Sequence, residues 1–272
     1  KLVQRKDGTS VYITQDIGLA QTKQKEFNAD QSIYVVGDEQ NYHFKVLKLI
    51  CQKLELPSAD GIYHLSYGMV ELPTGKMKSR EGTVVDADDL VAEMIQISKE
   101  KTESLGKVSD FTPEQLTTLY NTIGLGALKF FLLRVDPKKK MIFNPEESID
   151  FHGFTGPFIQ YTHARIKSIL RKTGTTTNVQ ASTLLPLEKA LIIALSNFPN
   201  TINEAAENLD PSKLAIYAFE LAKLFNSFYT EHSINNAESE EKKQLRIQLA
   251  ILTAATLSKA MRALGIDVPE QM

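Results

Sequence analysis

One cysteine, Cys51, stands among 272 residues. A disulfide scaffold is therefore excluded, and the usage fits a reducing compartment. No uninterrupted apolar run approaches the length of about 18 residues that marks a membrane span, so none is expected. A strong charge of one sign is also lacking: the formal net charge is −2. That argues against a protein that coats nucleic acid through a broad basic field, and a nucleic-acid partner would have to be met locally. The parts on either side of Asp150 differ too little in charge to separate their roles. No fixed-period repeat is visible, and the polar link Thr173–Ser182 is too short for an independent low-complexity region. Gly-x-Ser-x-Gly and Walker-type loops are missing. None of His43, His64, His152, His163 and His232 has metal-ligand spacing, so no metal site is expected and the histidines read as packing or surface residues. The chain opens at Lys1 without a Met or a charged-then-apolar leader, so no targeting peptide is expected and the start reads as a cut.

What is present is a globular composition, 42% hydrophobic and 24% charged, long enough to bury a conventional core. Residues 1–95 mix short β-branched and aromatic runs with loops. Val11-Tyr12-Ile13-Thr14, Ser32-Ile33-Tyr34-Val35-Val36 and Gly61-Ile62-Tyr63-His64-Leu65 read as strands. Between the second and third, Phe44, Leu47, Ile50, Cys51 and Leu54 recur at helical spacing over Asn41–Leu54. Strand, helix and strand make a crossover unit, for which parallel pairing is the default.

From Asp86 onward the pattern is almost wholly helical. Asp86 or Asp88 caps a helix to about Glu103, and Thr112-Pro113-Glu114-Gln115 is a capping box with Pro at the first helical position, opening a helix to about Leu133. Lys138–Ile149 reads as loop with a brief extended piece. Five helices follow, at roughly 157–172, 187–197, 201–208, 211–229 and 240–264; Asp210-Pro211 caps the fourth and Gly265 stops the fifth. The expected fold class is α/β plus all-α: part of an α/β sheet in 1–98, a helical connector in 99–150 and an α-helical bundle in 151–272.

The stretch Gly75-Lys76-Met77-Lys78-Ser79-Arg80-Glu81-Gly82-Thr83 sets three cations in five residues between glycines. Such a loop can close over polyphosphate and offset developing charge. It can also be a solvated turn, which is what a charge run usually is. At the expected end of the first strand, where α/β folds place ligand contacts, stand Tyr12 and Asp16; Gln40 follows the second. A carboxylate can pair with a cationic ligand, and a phenol and an amide oxygen can join it. Asp16 reads equally well as a helix N-cap before Ile17. Among the bundle helices, Phe158, Tyr161 and Arg165 stand at spacings of three and four, with Lys167, Arg171 and Lys172 beyond. Aromatics framed by cations suit unstacked RNA bases, and equally an amphipathic helix with its aromatics inward. Arg134 and Lys138–Lys140 read first as a solvated loop and second as a contact for an RNA stem.

The cationic loop resembles the Lys-Met-Ser-Lys-Ser signature of class I aminoacyl-tRNA synthetases. The likeness continues through His64-Leu65-Ser66-Tyr67-Gly68-Met69-Val70, Asp7-Gly8-Thr9-Ser10-Val11-Tyr12-Ile13-Thr14-Gln15-Asp16-Ile17-Gly18 and Tyr34-Val35-Val36-Gly37-Asp38-Glu39-Gln40, and it is similar to the arginyl-tRNA synthetases over nearly the whole chain. Ser79 stands where the signature has its second lysine, flanked by Lys78 and Arg80.

The resemblance implies the second half of a class I Rossmann-like catalytic domain followed by an anticodon-binding bundle, because the His-Ile-Gly-His motif and the first half of the nucleotide fold are absent from this sequence. It implies ATP-dependent activation of L-arginine and its transfer to tRNA(Arg) by the full-length enzyme, the fragment alone being inactive; the alternative is a non-catalytic tRNA-binding module. Arginine falls to Tyr12, Asp16 and Gln40, the adenine of ATP to the backbone of Gly68, Met69 and Val70, and phosphate to Lys76, Lys78 and Arg80. The tRNA falls to Phe158, Tyr161, Arg165, Tyr229 and Met272. ATP and Mg2+ enter as substrate and counter-ion, with no tightly bound cofactor. A cytoplasmic monomer, meeting tRNA, arginine and ATP but no membrane, is the expectation.

Overall fold

The computed structural model describes residues 2–73, 86–104, 106, 110–174 and 183–272. The chain divides into two compact units, one made of Lys1–Val70 with Pro137–Met141 and the other of Glu71–Asp136 with Ile142–Met272.

The first unit is built on α1 (Tyr12–Phe27), β1 (Ser32–Gly37), α2 (Asn41–Lys53) and β2 (Ile62–Tyr67), with a 3-10 turn at Asp38–Gln40 leading from β1 into α2. β1 and β2 pair in parallel, Ser32 opposite Ile62 through Gly37 opposite Tyr67, as the crossover pattern predicts. The expected strand at Val11–Thr14 is instead the start of α1, with Val11 as its N-cap. The reason is periodicity: Ile13, Ile17 and Ala20 recur at helical spacing and pack on the core with Phe44, Leu47 and Cys51 of α2, and four β-branched or aromatic residues do not outweigh a repeat sustained over sixteen. Asp16 is therefore in the second turn of a helix and is not its N-cap. On β1, Tyr34 is buried against the helices while Ile33 and Val35 point outward, Val35 being 63% exposed.

β3 (Val70–Glu71) and β4 (Met141–Ile142) pair as a second short sheet.

The second unit is helical: α3 (Ala87–Ser104), α4 (Pro113–Leu133), the single turn α5 (Pro145–Ser148), α6 (Gly156–Thr173), α7 (Pro186–Ser196), α8 (Phe198–Asn208), α9 (Ser212–Glu231) and α10 (Glu240–Ala263). The punctuation works as read. The Asp86 carboxylate accepts the Asp88 N–H at 2.8 Å; both bonds of the Thr112/Gln115 capping box form; Asp210 accepts the Ser212 N–H at 3.0 Å; and Gly265 ends α10 with φ +70°. α4 is long and apolar enough by composition to cross a membrane. Its Ile123, Ala127 and Phe130 are instead fully buried and it packs on α3 and α6, as a core helix does. The crossing of α4 and α6 needs glycine, since a Cβ on Gly156 would lie 2.6 Å from the Gly126 carbonyl oxygen. The main core gathers Phe130, Ile159, Ile166, Leu191, Leu221, Phe225, Phe228, Leu257 and Met261 from α4, α6, α7, α9 and α10.

Candidate substrate and RNA sites

In the first unit, the side of interest is where β1 and β2 end. Tyr12 and Asp16 stand one helical turn apart on α1 and so share a face. The Asp16 carboxylate meets His43 Nε2 at 2.6 Å. His43 lies in the first turn of α2, three residues past Gln40, so this contact ties the second turn of α1 to the start of α2. Tyr12 is 78% exposed and Gln40, the N-cap of α2, is also open to solvent. Sequence alone makes His43 a packing or surface residue, and the structure makes it the partner of Asp16; its place one turn after Gln40 is the available signal. Behind it, Phe44 packs against Tyr34 and His64, ring centroids 5.0 and 4.4 Å away, and His64 Nε2 meets the Val36 carbonyl at 2.9 Å. This aromatic wedge fixes the start of α2, and with it Gln40 and His43.

Gly68 and Met69 follow β2. The Gly68 N–H donates to the Pro137 carbonyl at 2.7 Å and the Met141 N–H to the Met69 carbonyl at 3.2 Å. The segment Gly68-Met69-Val70 is thus held by main-chain contacts. Lys76, Lys78 and Arg80 lie outside the described residues.

In the second unit, a groove of about 700 Å³ is lined by Tyr161 and Arg165 of α6, Tyr229 of α9, Asp110 and Phe111 before α4, and the tail residues Gln271 and Met272. Arg171 and Lys172 add charge at its edge. Tyr161 and Arg165, one turn apart on α6, meet here Tyr229 of α9 and Met272, which arrive from separate parts of the chain. The Arg165 guanidinium sits over the Tyr161 ring, 4.8 Å from its centroid, and donates to the Asn226 side-chain oxygen at 2.9 Å. The Asn226 amide in turn donates to Thr162 Oγ1 at 2.9 Å, so Arg165 is held in one pose. The Tyr229 ring lies nearly parallel to that of Phe225, at 7°.

Phe158 lies apart from these residues. It packs on Phe219, ring centroids 5.1 Å apart, against the bundle core, and it does not line the groove. Phe158 lies on the turn of α6 that packs against Phe219 of α9, one turn before Tyr161. Arg134 is likewise internal business. It stacks on Phe131 at 3.8 Å from the ring centroid, donates to the Phe154 carbonyl and pairs with Glu147.

Comparisons with known proteins agree over the length of the chain. The family model for the catalytic domain of class I (R) tRNA synthetases matches residues 1–144, and that for the DALR anticodon-binding domain matches residues 159–272. The arginine–tRNA ligase of Flavobacterium psychrophilum is 54% identical over 274 residues, covering 100% of this chain and 46% of that protein. That of Amoebophilus asiaticus is 50% identical over 279 residues, covering 100% and 47%. The Thermus thermophilus arginyl-tRNA synthetase structure superposes with a TM-score of 0.88 at 26% identity, over 100% of this chain and 51% of that one. The Plasmodium falciparum enzyme, at 23% identity and a TM-score of 0.80, shares the fold, with 99% of this chain and 46% of that one covered. The chain spans about half the length of the curated relatives it matches. On the strength of a catalytic-domain match over its first 144 residues and an anticodon-domain match over most of the rest, this chain belongs to the class I arginyl-tRNA synthetase family.

Proposed function

We propose that the chain is the carboxyl-terminal half of an enzyme that activates L-arginine with ATP and transfers it to tRNA(Arg). The arginine carboxylate attacks the α-phosphorus of ATP, giving arginyl-adenylate and releasing pyrophosphate, and a terminal ribose hydroxyl of the tRNA then takes the arginyl group. Asp16 pairs with the guanidinium, Tyr12 lends its ring and hydroxyl, and Gln40 offers its amide oxygen. The adenine rests on the backbone of Gly68, Met69 and Val70. Lys76, Lys78 and Arg80 offset charge on the phosphates, and Mg2+ arrives as the counter-ion of ATP. Positioning and charge stabilisation carry such phosphoryl chemistry, so no acid–base pair is required. Tyr161, Arg165, Tyr229 and Met272 meet the unstacked bases of the anticodon loop. A cytoplasmic monomer with boundaries near residues 98 and 150 completes the reading.

The observation that carries this is the Asp16 carboxylate, 29% exposed, one turn from Tyr12 on α1 and held beside His43 in the first turn of α2, the helix that Gln40 caps. In the full-length enzyme, Asp16→Ala should raise the arginine KM or abolish pyrophosphate exchange, at least 100-fold in kcat/KM, while tRNA affinity stays within two-fold; truncating one partner of a hydrogen-bonded charge pair typically costs about 2–5 kcal/mol. The double variant Tyr161→Ala/Arg165→Ala should do the reverse, weakening tRNA binding about 10-fold or more at about 1–3 kcal/mol per lost base stack. An Asp16→Ala enzyme that still exchanges pyrophosphate normally would leave only the non-catalytic tRNA-binding module.

The 272-residue chain by itself is expected to give no arginine-dependent pyrophosphate exchange, with or without tRNA. A parallel sheet is normally covered on both faces, and here Ile33 and Val35 stand 40% and 63% exposed on the outward one. Turnover comparable to a full-length enzyme would overturn this.

A further inference from the structure

Two neighbouring stripes run along α6. Tyr161, Arg165, Ser168 and Lys172 face the groove. Gln160, His163, Lys167 and Arg171, spaced by three and four, face the segment that follows α10. Each of these four holds a separate point on it. The Gln160 amide donates to the Asp267 carbonyl at 2.8 Å and also to the Thr122 carbonyl of α4 at 2.9 Å. His163 Nδ1 meets the Pro269 carbonyl at 2.9 Å. Lys167 pairs with the Glu270 carboxylate at 3.0 Å, and Arg171 donates to the Glu270 carbonyl at 3.1 Å. Upstream, Lys129 of α4 donates to the Gly265 carbonyl at 2.7 Å, at the turn where the segment leaves α10.

A carbonyl can only accept, so the His163 Nδ1 must carry a proton. Burial pushes the His163 pKa below its ordinary value, against the opposing pull of the Pro269 carbonyl and Glu270. At neutral pH the ring is therefore neutral and in the Nδ1–H form. Ile266 and Val268 pack on the bundle core, the polar contacts from α6 fix the carbonyls of Asp267, Pro269 and Glu270 and the Glu270 carboxylate between and beyond them, and the two residues that follow, Gln271 and Met272, form a wall of the groove.

We infer that Gln160, His163, Lys167 and Arg171 form a ladder of positioning residues that lays residues 267–270 along α6, so that Gln271 and Met272 are pre-set as one wall of the single-stranded-RNA groove. The ladder's action on RNA runs through the tail: an unfastened tail would have to be ordered at each binding event, and fastening it in advance moves that entropic cost from binding to folding. This inference rests on the reading of the groove as an RNA site.

The test is a double-mutant cycle on the 272-residue chain with a tRNA(Arg) transcript as probe. His163→Leu keeps bulk but removes the tail bond, and should weaken tRNA binding about 3–10-fold, the range for one lost hydrogen bond. Removing Gln271 and Met272 should weaken it at least as much. In the shortened chain, ending at Glu270, His163→Leu should add nothing further, because the wall it positions is gone. Lys167→Met, at a partly exposed site, should act in the same direction. An unchanged affinity on His163→Leu, or the same loss repeated in the shortened chain, would overturn the proposal. An RNA-free measurement decides separately. Carboxypeptidase should release Met272 about 3–10-fold faster from the His163→Leu chain at equal thermal stability; equal release rates would sink the ladder. Should Tyr161→Ala/Arg165→Ala leave tRNA affinity intact, the RNA reading fails while the release assay still judges the fastening of the tail.

Discussion

Replacing Arg246 by Ala should destabilise the helical unit by about 3–5 kcal/mol, the range for stranding one partner of a buried ion pair. Arg246 of α10 is 2% exposed and Glu188 of α7 is fully buried. The guanidinium Nε donates to Glu188 at 3.0 Å, Nη1 to the Ser233 carbonyl at 2.7 Å and Nη2 to Glu238 at 2.7 Å. Glu188 also accepts from Lys242 and from the Leu185 N–H at 2.9 Å, so one carboxylate serves both the start of α7 and its union with α10. Removing Arg246 leaves that carboxylate with Lys242 as its remaining charged partner. In calorimetry the endotherm of the helical unit should move down by roughly 6–20 °C, at about 2–4 °C per kcal/mol for a unit of this size. The double variant Glu188→Leu/Arg246→Leu should lose less than Arg246→Ala alone, because apolar replacement of a whole pair removes the desolvation cost along with the attraction. Equal losses would mean that the stranded charge is not what matters.

The same groups set the response to acid. Burial pushes the Glu188 carboxyl up, but the hydrogen bonds from Lys242, the Leu185 N–H and Arg246 together outweigh it and hold its pKa below the usual 4.5. A carboxylate depressed in the folded state contributes stability that is fully present above the unfolded value and is lost as pH falls towards the folded one. His163 acts earlier: burial holds its pKa below 6.5, so protons bind the unfolded chain first and stability falls as pH drops beneath that value. The helical unit should therefore soften in two steps on acidification. His163→Leu should remove the first and leave the second.

Helical periodicity and punctuation are the most legible parts of the sequence. Thr112/Gln115, Asp86, Asp210 and Gly265 can be read because capping depends on side chains within a few residues of one another. The parallel pairing of β1 with β2 follows from the length of the intervening helix. The start of α1 misleads because Val11–Thr14 is composed like a strand, and only the later Ile17 and Ala20 reveal the helical repeat. Of the candidate sites, the convergence of Tyr161, Arg165, Tyr229 and Met272 on one groove is foreshadowed by resemblance, not by spacing, since Tyr229 and Met272 arrive from separate elements. Phe158 shows the limit of spacing: an aromatic within three residues of Tyr161 satisfies the pattern, but it turns to the core. His43, Gln160 and His163 escape a reading of the sequence because single polar residues on a helix look alike until their partners are known. Asp16, Asp267 and Pro269 are those partners, up to 107 positions away in sequence.

Gly68→Ala should have the second large effect, on the first unit. A Cβ on Gly68 would lie 2.3 Å from the Lys139 carbonyl oxygen, 2.4 Å from its carbon and 2.6 Å from the Lys140 nitrogen. All three are main-chain atoms, so no side chain can swing aside; either Gly68-Met69-Val70 or residues 137–141 must move. Displacement would break the Gly68–Pro137 hydrogen bond and the neighbouring Met141–Met69 bond together, a cost at or above the top of the ~1–3 kcal/mol range for overpacking. Gly18 is the control. It lies in the middle of α1, where an added Cβ would meet nothing within 4 Å, so Gly18→Ala should be neutral or stabilise by about 0.5–1 kcal/mol through helix propensity. The contrast separates close approach from mere helix preference. In the full-length enzyme, Gly68→Ala should also raise the ATP KM more than the arginine KM, because the segment displaced is the one proposed to meet adenine, while Asp16 and His43 belong to α1 and α2. Limited proteolysis should cut Gly68→Ala within Lys138–Lys140 faster than the parent chain. Parent-like cleavage with a normal ATP KM would show that the two backbones can part at little cost, and that the closeness at Gly68 does not hold the adenine-facing segment in place.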